Sequence, residues 1–174
     1  MRHKYLLLCA GAAAMLYGSA GTAHHTASAF YDLGKKISVE GRVTGMKLAN
    51  PHSYYRVTTD GGEDWAMEAG GSWTQLQKLG WSSETIPEGS RVRVSGSPSR
   101  DGKPIARYDT IAVYREDGGI DLYGGARSHW AARAGELGSP CANGVTGCVT
   151  LDAAAIDTLQ AEFGNVGVWS PLGE

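Results

Sequence analysis

Histidines at the expected mature terminus and beside a proline are the residues best suited to chemistry in this sequence. Of five histidines in 174 residues, two are adjacent, His24-His25, and a third stands in Asn50-Pro51-His52. Cleavage of a leader after Ala23 would give His24 both a chelating α-amine and an imidazole. Such donors suit copper, zinc, nickel or iron, and an α-amine with a pKa of about 8 loses its proton readily to a metal. His24, His25 and His52 are therefore the candidate metal ligands, with copper first and zinc next. The competing reading is a mobile His-His terminus and a His52 that caps a turn by bonding backbone groups. No sequence rule brings the terminus to His52. Glu68, Glu40 and Asp32 either complete an oxygen-containing site or simply face water.

Aromatic residues are the second lead. Tyr54, Tyr55, Trp65, Trp73 and Trp81 fall close together, and Tyr54 and Tyr55 point to opposite sides of one strand. A face built from Tyr54, Tyr55 and Trp81 could bind a small apolar ligand or a peptide, or be only hydrophobic core. Trp65 and Trp73 match inward positions. Enzyme templates largely fail: Ser72 in Gly70-Gly71-Ser72-Trp73 lacks the pentapeptide of a nucleophile elbow, and no phosphate-binding glycine loop or paired-histidine helix is present. Binding thus ranks above catalysis.

The elements that must position these residues begin after a leader. Arg2, His3 and Lys4 precede an apolar run from Tyr5 to Tyr17 and small residues ending at Ala23, the pattern of a secretory signal peptide over residues 1–23. A cut site of small residues after a short run favours cleavage over a retained anchor. Cys9 comes too early, and behind leucines, for a lipoprotein. No later stretch approaches the ~20 apolar residues of a transmembrane helix. The mature chain is expected to be periplasmic or secreted. Removing Arg2 and Lys4 leaves 14 basic against 18 acidic residues, which supplies no basic field for nucleic acid. Cys141 and Cys148 flank an Asn143-Gly144 turn, and in an exported chain they read as a structural disulfide.

Residues 24–123 read as a small β-barrel. Lys36–Leu48 alternates with period two and carries Gly41 and Gly45 where a bent strand needs them; Ser53–Thr59, Glu63–Ala69, Ser90–Ser95 and Ile105–Tyr114 follow as strands. Between the third and fourth, Ser72 is an N-cap, Trp73, Leu76, Gln77 and Leu79 follow at helical spacing, and Gly80 stops the element. Five strands with that helix is the order of a mainly β, OB-like barrel. Ile120–Tyr123 adds a short hairpin strand. The tail, 124–174, is expected to hold a short helix around Ser128–Ala134 and a clear one at about 151–163, with Leu151, Ala155, Ile156, Leu159 and Phe163 on one face and Asp152 in the first turn. It either lies on the barrel or is a loosely attached appendage.

The motifs His24-His25-Thr26, Phe30-Tyr31-Asp32, Gly41-Arg42-Val43-Thr44, Asn50-Pro51-His52, Trp65, Glu68, Leu79-Gly80-Trp81, Gly89-Ser90 and Gly96-Ser97-Pro98 with Asp101-Gly102 together resemble domain-of-unknown-function family 6152, small exported bacterial proteins. The resemblance spans His24 to Leu122. It implies a signal peptide and a small β-rich domain, and brings no established activity. The chain departs from the pattern at Thr26 and at Leu48-Ala49, and neither change removes a candidate ligand. The resemblance strengthens His24, His25 and His52 as ligands without naming a metal. Two function classes follow: an exported binder of a metal ion or small ligand, and an interaction module of the cell envelope with neither metal nor catalysis.

Overall fold

The computed structural model describes residues 27–124 and 129–164. The expected strands are present: β1 Ile37–Lys47, β2 Tyr54–Thr58, β3 Asp64–Glu68, β4 Arg91–Pro98, β5 Ile105–Tyr114 and β6 Ile120–Gly124. A single turn of helix, α1 (Ala27–Phe30), precedes them, and α2 (Trp73–Lys78) joins β3 to β4. Five strands close a barrel in the order β3-β2-β1-β4-β5, and a parallel β3–β5 pairing, Ala66↔Ile105 through Glu68↔Arg107, completes the ring. This is the OB-like barrel, and closure leaves none of its five strands with a bare edge.

Local chemistry explains the elements. A Cβ on Gly41 would stand 2.2 Å from the Thr58 carbonyl oxygen, so only glycine lets β1 bend this tightly against β2. Beyond it the β1–β2 register shifts between Val43 and Gly45, the bulge of a strand that serves two neighbours. Ser72 caps α2 with a full capping box: its hydroxyl accepts from Gln75 N, and Gln75 Oε1 accepts from Ser72 N at 3.0 Å. Gly80, at φ +88°, follows the C-cap Leu79 and ends the helix.

The barrel interior holds Val43, Val57, Met67, Val92, Val94 and Ile111, each at most 2% exposed. Trp65 and Trp73 are half-buried and pack against this core from its margin.

The tail is sewn onto the sheet. β8 (Cys148–Leu151) pairs antiparallel with β6, and the two-residue β7 (Ser139–Pro140) pairs with β8. Helices α3 (His129–Leu137) and α4 (Ala153–Phe163) cover a second apolar cluster, Ala112, Ile120, Leu122, Leu151, Ile156 and Leu159. The second tail helix begins later than its apolar spacing implies. Leu151 is the last residue of β8, paired with Ile120, and Asp152 is the N-cap, its carboxylate accepting from Ala155 N at 2.8 Å. Phe163, expected on the buried face, is 37% exposed. Cys141 and Cys148 form the expected disulfide, and both are buried. Among the described residues no helix is long and apolar enough to cross a membrane.

Candidate functional site

One end of the barrel carries a cavity of about 540 Å³, whose walls include Ala27, Tyr31, His52, Tyr54, Glu68 and Arg107. Three segments are brought there by separate backbone ties. The first is α1 and its exit: Arg100 N donates to Phe30 O, Asp32 N to Pro98 O and the Arg100 guanidinium to Ser28 O, each at 2.9 Å, so the chain before β1 is strapped across the β4–β5 loop. This aims Tyr31 inward, 6% exposed.

The second is the β1–β2 loop. Asn50-Pro51 is cis, the buried Ser53 hydroxyl bonds Ala49 on both sides at 3.2 Å, and Asn50 Oδ1 accepts from Thr74 at the start of α2. His52 is thereby held at the rim, its side chain 44% exposed. The third is the end of β3, where Glu68 faces Tyr54 across one register pair and Arg107 across the other.

Glu68 is the centre of the site. It is 8% exposed, yet its carboxylate is supplied with donors: Tyr31 OH donates to Oε2 at 2.6 Å, Tyr54 OH donates to the same oxygen at 2.9 Å, and His52 Nδ1 lies 3.2 Å from Oε1. Short phenol–carboxylate bonds are charge-assisted and offset the cost of burying the acid. The phenols in turn hold their protons. Burial first, and then the bond to Glu68, pushes Tyr54 up to about 12, and the same two causes raise Tyr31 further. Both therefore remain donors at any physiological pH.

Arg107 completes the wall. Its guanidinium lies against Gly70, where a Cβ would stand 3.1 Å from Nη2.

The sequence-derived candidates divide. His52 and Tyr54 meet at this cavity. Tyr55 and Trp81 do not line it: they are 2% and 8% exposed and pack together in the barrel core with ring centroids 6.0 Å apart. His24 and His25 lie outside the described residues. Among the described residues no group of three or more His, Cys, Asp or Glu is close enough to hold a metal ion. Of the carboxylates weighed as oxygen donors, Glu40 bonds Arg93 and Arg91, and Asp32 caps its own turn by accepting from Gly34 N. Only Glu68 enters the cavity.

Tyr31 enters the sequence pattern only as part of the Phe30-Tyr31-Asp32 motif, with no role assigned, and Arg107 is not marked at all. Tyr31 reaches the site through the strap over the β4–β5 loop, and Arg107 through a parallel pairing with β3; neither contact has a local signature.

No curated protein and no solved structure matches the chain. Residues 12–107, a span that holds every wall residue of the cavity, match the family described as Family of unknown function (DUF6152). The chain belongs to that family.

Proposed function

We propose that this is an exported small binding protein that takes a transition metal ion, copper first and zinc next, through His24, His25 and His52 at the mouth of the Glu68 cavity. The observation that carries the reading is the 3.2 Å approach of His52 Nδ1 to Glu68 Oε1. A carboxylate beside Nδ1 favours the tautomer with its proton there and leaves Nε2 as the free donor atom, which is the usual outer-shell arrangement behind a ligating histidine. Glu68 is itself held by two phenols, so the imidazole is backed by a fixed acceptor.

Chain length supports the remaining ligands. Ala27 lines the cavity, and His24 precedes it by three positions, a reach of at most about 11 Å. Removal of residues 1–23 would add the His24 α-amine to the donor set. The cavity also lies by the β1–β2 and β4–β5 loops, a region that OB barrels use for ligands. The leader pattern and the disulfide support a periplasmic or secreted location.

The test is a titration of copper and zinc into protein exported with its own leader, with the terminus confirmed by mass spectrometry. One equivalent should bind tightly, binding should be lost in both His24→Ala and His52→Ala, and Glu68→Gln should weaken it by roughly 10–100-fold. No binding, or binding indifferent to His52, overturns the reading. In-cell crosslinking to an envelope protein would then become the leading experiment.

A further inference from the structure

We infer that the cavity also contains an anion-accepting subsite in which Arg107 holds the carboxylate of a small monoanionic organic molecule. The inference stands apart from metal binding, because it uses no histidine.

Two oppositely charged residues stand side by side across the β3–β5 pairing, Glu68 and Arg107, and both line the cavity. They do not pair. The carboxylate is taken up by Tyr31, Tyr54 and His52. The Arg107 guanidinium makes no hydrogen bond or ion pair with any described residue. Lys103, also in the wall, is committed to Asp101 at 2.6 Å. Glu68 is thus satisfied and Arg107, among the described residues, is not, so the group the site calls for is an acceptor with negative charge.

The geometry narrows the ligand class. A guanidinium offers a flat fork that matches carboxylate or phosphate oxygens in pairs. Glu68, the direct register partner of Arg107, would repel a second negative charge in this half-enclosed space, and so favours a monoanion over a phosphate dianion. Pro51, Ile105, the Tyr54 ring and the exposed Phe30 add an apolar surface for the rest of the molecule. A volume of about 540 Å³ suits a small organic acid. Gly70 is part of the device: a side chain there would crowd the guanidinium, with a Cβ 3.1 Å from Nη2.

Calorimetric titration of the mature chain in a chelating buffer, so that no metal contributes, tests this with benzoate as the probe and benzamide and phenyl phosphate as comparators. Benzoate should bind saturably, at least tenfold more tightly than either comparator. Arg107→Gln should weaken benzoate binding tenfold or more, and Arg107→Lys, which keeps the charge but not the fork, by less. Lys78→Gln, on the exposed surface of α2, should leave it unchanged. Gly70→Val keeps the arginine but displaces its fork, and should reproduce the loss even where Arg107→Gln fails to fold. Absence of benzoate binding overturns the inference. So does equal binding of benzamide, tighter binding of phenyl phosphate, or retention of benzoate within twofold by a folded Arg107→Gln or Gly70→Val variant.

Discussion

Tyr54 and Tyr55 are neighbours on β2 and live in different chemical worlds. Tyr54 faces the cavity, where its hydroxyl donates to Glu68 at 2.9 Å. Tyr55 faces the barrel interior among Trp81 and Tyr108, and its buried hydroxyl has no hydrogen-bond partner among the described residues. The cavity spends polar groups on one another and presents what is left to a ligand. The interior uses the same residue type for its ring and tolerates an unsatisfied phenol. Alternation along a strand is enough to separate the two roles, because successive side chains leave opposite faces of the sheet.

The comparison can be broken most severely at Glu68. Glu68→Ala should destabilise the fold by about 3 kcal/mol in urea unfolding, since it strands two phenols and the His52 imidazole. An effect under about 1 kcal/mol would mean that the cluster is not a structural unit. The barrel has a second fastening: the disulfide loop places Val145 in the core, Asn143 Nδ2 donates to Tyr123 OH at 2.7 Å, and Thr146 N donates to Leu79 O at 2.8 Å. Replacing Cys141 and Cys148 together by serine should cost about 2.5 kcal/mol, the loop-closure value for a loop this short.

Smaller changes sharpen the contrast. Tyr31→Phe should cost about 2 kcal/mol, because it removes a 2.6 Å bond to a buried carboxylate. Tyr55→Phe should change stability by less than about 0.5 kcal/mol in either direction, since no bond is lost. Alkali provides a further probe. Tyr54 loses its proton near 10 when unfolded and at about 12 when folded, so between those values the folded chain holds more protons. Its contribution to stability is complete below pH 10 and declines as pH rises toward 12. Urea midpoints measured across that window should fall more steeply for wild type than for Tyr54→Phe.

Much of the barrel was legible along the chain. Period-two runs marked the strands of the ring, Ser72 and Gly80 marked the ends of α2, and Cys141 and Cys148 marked their own pairing. These signals are local: a capping hydroxyl, a positive φ or an alternation of apolar residues acts within a few positions. The tail was less legible. Leu151 satisfies the helical spacing of α4 yet belongs to β8, because its pairing with Ile120 outweighs the local period. The aromatic lead was legible as composition only, for Tyr54, Tyr55 and Trp81 share a neighbourhood in sequence but not a cavity.

The sequence by itself determined β1 to β6 and α2, their order and the residue types available for chemistry, His52 and Glu68 among them. Only the tertiary structure decided that Tyr31, His52, Tyr54, Glu68 and Arg107 share one cavity. That decision depends on the parallel closure of β3 on β5, on the strap of α1 over the β4–β5 loop and on the fastening of the β1–β2 loop to α2. Each joins segments far apart in the chain, where pairing is set by the packing of the whole barrel and by no pattern within either segment.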